Sequence, residues 1–443
     1  MLLTMDDGRQ VVAKVPSPNA GRSHFTTASE VATMDFVRKT LGTPVPKVLA
    51  WSSKAQGNSV GAEYIIMEKA PGVSLQSVWP RMKMKNRSTL VRNIFKLNSS
   101  WSSVSFRKFG SLYYTDDIET NRECLYTDAN GIEVMNEKFA VGPATGRDYV
   151  DYGKINVEFD RGPWDTIDKY HTAVGLREIA ATQQLPHLPK SPIILSGPGT
   201  YTPSKEKKLK VLEYYLKLVP LLLPPQNSLP SAHHASGTPI STLEMYLWTP
   251  KTLIIDYQGP AFTGIERPVM PDTKDMEPEE KRWVMSEFWE RTLCAVYNNW
   301  AHRDDQRIYA ALDFQQTDAY TLLVVARNML LDGDISFMNH VIDLKNTWHN
   351  LPSSPKEPYP FTFSPEEMQE ILADFEAWRK AFQTMDRVKD AVGPLFPNEG
   401  AIKHELYDEA VRALTQVRDA VIEEYATNET EKEIWIREWP FGT

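Results

Sequence analysis

Two β-prone runs, residues 2–5 and 10–15, flank Asp6-Asp7-Gly8 at the start of the chain. Glycine supplies the positive φ that a tight reversal needs, so the pattern reads as a hairpin. The period then changes. Val31, Met34, Val37 and Leu41 follow at helical spacing, Thr27-x-x-Glu30 has the form of a capping box, and Gly42 with Pro44 stops the run. This predicts a helix over 28–41. Pro44-Val45-Pro46 then forces extended backbone, and Glu63-Tyr-Ile-Ile-Met-Glu-Lys is a strand closed by Ala70-Pro71-Gly72. Residues 1–70 are therefore expected to be strands around one helix.

Beyond residue 70 the pattern turns helical, with long loops rich in Pro, Gly and Asp over about 110–203. Residues 205–223 carry Leu209, Leu212, Leu216, Val219 and Leu223 on one stripe, and their opening Lys-Glu-Lys-Lys-Leu-Lys run reads as a solvated face. Further helices are expected over 278–300, 317–331, 365–384 and 401–426, and a short apolar strand over 252–255 that ends at Asp256. The fold class expected is α+β: a small antiparallel-sheet lobe over 1–70, then a large helical lobe over 71–443.

Composition narrows the range of functions. The chain has 443 residues, 42% of them hydrophobic, which is enough for more than one core. Its 49 basic and 58 acidic residues give a net charge of −9, which argues against nucleic acid and for a small-molecule or protein partner. Cys124 and Cys294 are the only cysteines and match no zinc spacing, a usage suited to a reducing compartment. The most apolar stretch, residues 211–223, is broken by Glu213, Lys217 and Pro220 and is too short to span a bilayer. The opening residues show neither a signal peptide nor a mitochondrial presequence, and a cytoplasmic location fits this chain read alone.

Four features carry candidate chemistry. Lys14 lies on the strand after the hairpin, where a lysine can hold nucleotide phosphates, and Glu30 opens the next helix, where a glutamate can hold that lysine. Taken alone, Lys14 also fits a solvent-facing strand residue, and Glu30 the third position of a capping box. Met67 and Glu68 end a buried strand that leaves into a Pro-Gly connection, a place where backbone groups can read an adenine edge. Asp256 ends the apolar strand Ile254-Ile255, a suitable position for one oxygen ligand to magnesium, and equally for a turn aspartate.

These features come in the order of a kinase-like fold. The stretches TTASEVATMDFVRKTLGTPVPKVLAWSS, GAEYIIMEKAPGVSL, RGPWDTIDKYHTAVGLREIA and IIDYQGP resemble the fungal "altered inheritance of mitochondria" family of aminoglycoside-phosphotransferase-like proteins. The resemblance implies a bilobal protein-kinase-like fold, a mitochondrial location, and ATP-dependent phosphoryl transfer to the hydroxyl of a small-molecule substrate. It also implies ATP and Mg2+ as cofactors. Lys14 would neutralise the phosphates, Glu30 would position Lys14, Met67 and Glu68 would border the adenine, and Asp256 would hold the metal.

The chain departs from that family in two places. Phosphoryl transfer needs a positioned base, and the family carries it in a histidine-x-aspartate loop with an asparagine farther on. Between Asn227 and Asp256 there is no aspartate and no asparagine, and Glu244 is the only carboxylate. With His234-Ala235-Ser236 set on the signature, Ser236 stands where the base belongs and Ser241 where the asparagine belongs. The chain also opens on what corresponds to the second strand, so the lobe is expected to be truncated, without a glycine-rich lid. Such losses mark a pseudokinase or binding scaffold, or coding segments omitted from the chain as written. Three decoys are set aside: Gly57-Asn58-Ser59-Val60-Gly61 as a loop, His233-His234 as polar loop residues, and Ser196-Gly-Pro-Gly-Thr200 as a turn.

Overall fold

The computed structural model describes residues 1–17, 19, 21–119, 123–224, 264–353, 358–397 and 402–441. The hairpin forms as its pattern dictates. Strands β1 (Leu2–Thr4) and β2 (Gln10–Lys14) pair antiparallel, and Gly8 takes φ +82° in the turn between them. Helix α1 spans Phe25–Lys39, and strands β3 (Val48–Ser52) and β4 (Tyr64–Glu68) follow. The four strands make one antiparallel sheet in the order β1-β2-β4-β3.

Helix α1 begins three residues before its expected start, and the expected capping box is absent. The hydroxyl of Thr27 is turned inward and donates to Glu63 Oε2 at 2.5 Å, and no side chain of the helix caps its first turn. A distant carboxylate has taken the hydroxyl, which leaves Glu30 free for another partner.

Residues 71–143 are less helical than their pattern suggests. Helices α2 (Leu75–Val78) and α3 (Met84–Ser102) are followed by five short strands: β5 (Ser105–Phe106), β6 (Ser111–Tyr114), β7 (Cys124–Thr127), β8 (Glu133–Met135) and β9 (Phe139–Gly142). They form two small sheets, β5-β7-β8 and β6-β9. Two to four residues are too few to show an alternating pattern, so aromatic runs such as Ser-Leu-Tyr-Tyr read as loop. Their burial explains them: Phe36 of α1 packs edge-on against Tyr126 and Phe139 and tilts against Phe106, with ring centroids 5.3–5.7 Å apart.

The remaining helices are α4 (Ile167–Gln184), α5 (Lys205–Leu222), α6 (Pro278–Asp304), α7 (Gln306–Phe314), α8 (Asp318–Val325), α9 (Gly333–Thr347), α10 (Pro365–Val392), α11 (Tyr407–Tyr425) and α12 (Glu429–Glu438). Of these, α5, α6, α8, α10 and α11 fall on expected segments, whereas α4 lies where loops were expected and α7, α9 and α12 were not anticipated. No helix among the described residues is long and apolar enough to cross a membrane.

The chain divides into two compact units. The first comprises Met1–Ala173 and Leu223–Thr321, the second Val174–Leu222 and Leu322–Thr443. The boundary expected near residue 70 thus falls inside the first unit. That unit has one core around α1 and the small sheets, and another where α3 meets α6 and α7 through Phe95, Leu293, Tyr297 and Ile308. In the second unit, α10–α12 close over Leu195, Met385, Val388 and Trp435.

The solvated face expected for residues 205–210 is corrected at Lys208, which has no exposed surface. Its Nζ donates to the carbonyls of Met329 and Leu331 at 2.9 and 2.8 Å and to Asp334 Oδ1 at 2.9 Å. The buried stripe of α5 is Val211, Leu212, Tyr215, Leu218, Val219 and Leu222, rotated from the expected one to include that lysine.

Candidate functional site

Strand β2 turns Val11 and Ala13 into the core, and Lys14 stands at its end, half exposed, opposite Ile65 of β4. One helical turn into α1, Glu30 reaches it: Lys14 Nζ lies 2.6 Å from Glu30 Oε1 and 2.7 Å from Oε2. The sequence-expected pair is therefore brought together. With the two side chains 48% and 33% exposed, the ion pair contributes at most about 1 kcal/mol to stability. A cation so weakly used by the fold, and so accessible, is free to meet a second anion.

Met67 faces Val12 across the sheet, two positions along β4 from the rung that carries Lys14. Glu68 is committed elsewhere. Its backbone N–H donates to the Lys47 carbonyl at 2.9 Å, its Oε2 accepts from the Lys47 N–H at 3.0 Å, and Arg38 approaches the same oxygen to 3.8 Å. The Glu68 carboxylate thus fastens the entry of β3 to the end of β4. Asp256, Ser236, Ser241, Glu244, His233 and His234 lie outside the described residues.

A second cluster near the start of α1 escaped the sequence reading. The Glu63 carboxylate straddles the first turn, taking the His24 N–H at 2.7 Å on Oε1 and the Thr27 hydroxyl on Oε2. The His24 ring bridges Ser53 Oγ (2.8 Å) and the Asp117 carbonyl (2.9 Å), and its backbone sits at φ +67°, a left-handed conformation rare outside glycine. Burial pushes the Asp117 carboxyl above the usual range, against the attraction of His24 and Lys54. Apart from the match of Glu63 to a strand entry, no local spacing connects residues 24, 53, 63 and 117.

The decoys resolve as local structure. Asn58 Oδ1 accepts from the Val60 and Gly61 N–H groups, so Gly57–Gly61 is a self-bonded loop between β3 and β4. Gly197 N–H donates to Thr200 Oγ1 at 2.7 Å, which closes the turn at 196–200. Among the described residues no group of three or more His, Cys, Asp or Glu side chains is placed to hold a metal ion. The described residues thus supply an accessible cation at Lys14, and the expected metal ligand Asp256 lies outside them.

No family model matches the chain, and no solved structure does. Over 99% of its length the chain is 27% identical to a "Subtelomeric hrmA-associated cluster protein" of Aspergillus fumigatus, of which it covers 94%. It is 29% identical over 50% of its length to "Altered inheritance of mitochondria protein 9, mitochondrial" of Candida tropicalis, covering 38% of that protein. Its similarity to the protein of the same name from Clavispora lusitaniae is 22% identity over 85% of the chain and 69% of the relative. These matches make the chain similar, at 22–29% identity, to fungal proteins named altered inheritance of mitochondria protein 9.

Proposed function

We propose that this chain is a kinase-like, ATP-binding protein of the phosphotransferase type, whose Lys14 neutralises the phosphates of Mg2+-ATP while Glu30 holds Lys14 in place. The observation that carries the reading is the Lys14–Glu30 ion pair at 2.6 Å. It joins the second strand of an antiparallel sheet to the helix inserted between that strand and β3. Phosphoryl transfer requires charge neutralisation and positioning more than covalent help, and a lysine fixed by a helix carboxylate provides the first of these. Met67 and the backbone after Glu68 would border the adenine, and Asp256 would hold the magnesium. The acceptor would be a small-molecule hydroxyl.

A second reading has its own support: with Ser236 and Ser241 in place of an aspartate and an asparagine, a neutral hydroxyl stands where a base and a metal ligand are needed. On this reading the chain binds nucleotide, or a protein partner, without transferring phosphate. The names of the relatives favour a mitochondrial location for either version.

The first experiment is the melting temperature of the full chain with and without Mg2+-ATP, since a ligand of the native state must raise it. An upward shift is expected in the wild type and its loss in Lys14→Ala and Asp256→Ala. Turnover of ATP by the same protein then separates the two readings. No shift in a well-folded chain would overturn both nucleotide-binding versions.

A further inference from the structure

The geometry around α1 points to a positioning device that the ion pair alone does not explain. Glu30 can meet Lys14 only if the first turns of α1 are held at a fixed height against the sheet. Thr27 and Glu30 lie three residues apart, on neighbouring positions of one helix face. What fixes Thr27 therefore fixes Glu30. Thr27 is held by the Glu63 carboxylate, which enters from the residue before β4 and takes the His24 N–H with its other oxygen. A negative charge at this end of a helix is also favoured by the helix dipole, and α1 has no acidic residue of its own in its first turn.

His24 completes the arrangement. Its left-handed backbone aims the N–H at Glu63, while its ring reaches Ser53, just past β3, and the Asp117 carbonyl, three residues past β6. Non-glycine residues in sparsely populated conformations cost on the order of 1–3 kcal/mol and persist where the surroundings over-determine them. Here three hydrogen bonds to three separate segments do so.

We propose that His24 and Glu63 are positioning residues, which latch the start of α1 to the sheet so that Glu30 presents its carboxylate to Lys14. The relevance of that latch to nucleotide rests on the function proposed above; the latch itself does not. His24→Gly removes the ring while relieving the backbone, and Glu63→Gln keeps the shape while removing the charge, so both variants should fold.

The test is amide hydrogen exchange on the full chain, with Mg2+-ATP as the nucleotide probe. Either substitution is expected to speed exchange at Ala28, Ser29, Val31 and Ala32 about tenfold, the loss of roughly one hydrogen bond, with Val91 and Phe95 of α3 unchanged. A merely structural role would instead speed exchange in α3 as well. For nucleotide, the dependence of the melting temperature on Mg2+-ATP concentration is measured in a double-mutant cycle of His24→Gly with Glu30→Gln. If His24 acts through Glu30, the two losses are non-additive. Unchanged exchange at Ala28–Ala32, or additive losses, overturns the proposal. Should the wild type show no response to Mg2+-ATP, the nucleotide reading fails while the exchange data still decide the latch.

Discussion

Lys208 and Asp334 meet 2.9 Å apart with no exposed surface on either side chain, and the Tyr201 hydroxyl donates to the other Asp334 oxygen at 2.6 Å. Burial, and then the Asp334 charge, pushes the Tyr201 hydroxyl far above the usual tyrosine range. Breaking one member of such a group strands the rest. Lys208→Met is expected to lower stability by about 3–5 kcal/mol, read from the urea midpoint, and Lys208→Met with Asp334→Asn to recover most of that loss. Nearby, burial pushes the Asp332 carboxyl above its usual range despite the hydrogen bond from Ser191 and the attraction of Lys208. The folded state then binds the proton more tightly than the unfolded chain. The associated stability is full below the ordinary carboxylate pKa and is lost as pH rises through the folded value. Asp332→Asn should remove that loss, so its denaturation midpoint gains on the wild type as pH rises above the ordinary carboxylate range of about 4. None of this was legible in a run of lysines. Charge repetition reports average exposure, whereas Lys208 owes its burial to carbonyls more than 100 residues away. Lys14 and Glu30 were legible because strand, turn and helix are local, and only one partner each was needed.

At the scale of elements, several long periodic segments were readable, whereas α4 and α9, of 18 and 15 residues, and the short strands were not. Helices α5, α6 and α10 start where their patterns start, and α10 begins with the Ser364–Glu367 capping box in full. Strands β5–β9 hold two to four residues each, and their pairing depends on covering Phe36, which no local pattern encodes. The Thr27-x-x-Glu30 pattern misled because a capping box and a tertiary ion pair draw on the same residue types. The turn at 196–200 shows the reverse, a motif empty of chemistry but demanding in packing. A Cβ at Gly197 would fall 2.3 Å from the Trp435 ring of α12. Gly197→Ala is therefore expected to cost about 1–3 kcal/mol, seen as a lower denaturant midpoint with secondary structure retained by circular dichroism.

At the scale of the whole chain, each unit is made of two separated stretches. Sequence composition does not show this, because the crossings at 173–174, 222–223 and 321–322 leave no shift in residue type. Helix α5 belongs with α9, where Tyr215 meets Phe337 edge-on at 5.9 Å. A chain ending at residue 321 is therefore expected to be insoluble, with Leu212, Tyr215, Leu218 and Leu222 uncovered. Residues 174–222 joined by a flexible linker to 322–443 should instead give one cooperative melt by circular dichroism. The same discontinuity sets a timetable for the newborn chain. A ribosome adds about 5–20 residues per second, so the apolar stripe of α5 waits on the order of ten seconds for α9 to emerge. Throughout that interval the nascent polypeptide displays a sticky helix to the cell, a state open to aggregation and to shielding by chaperones.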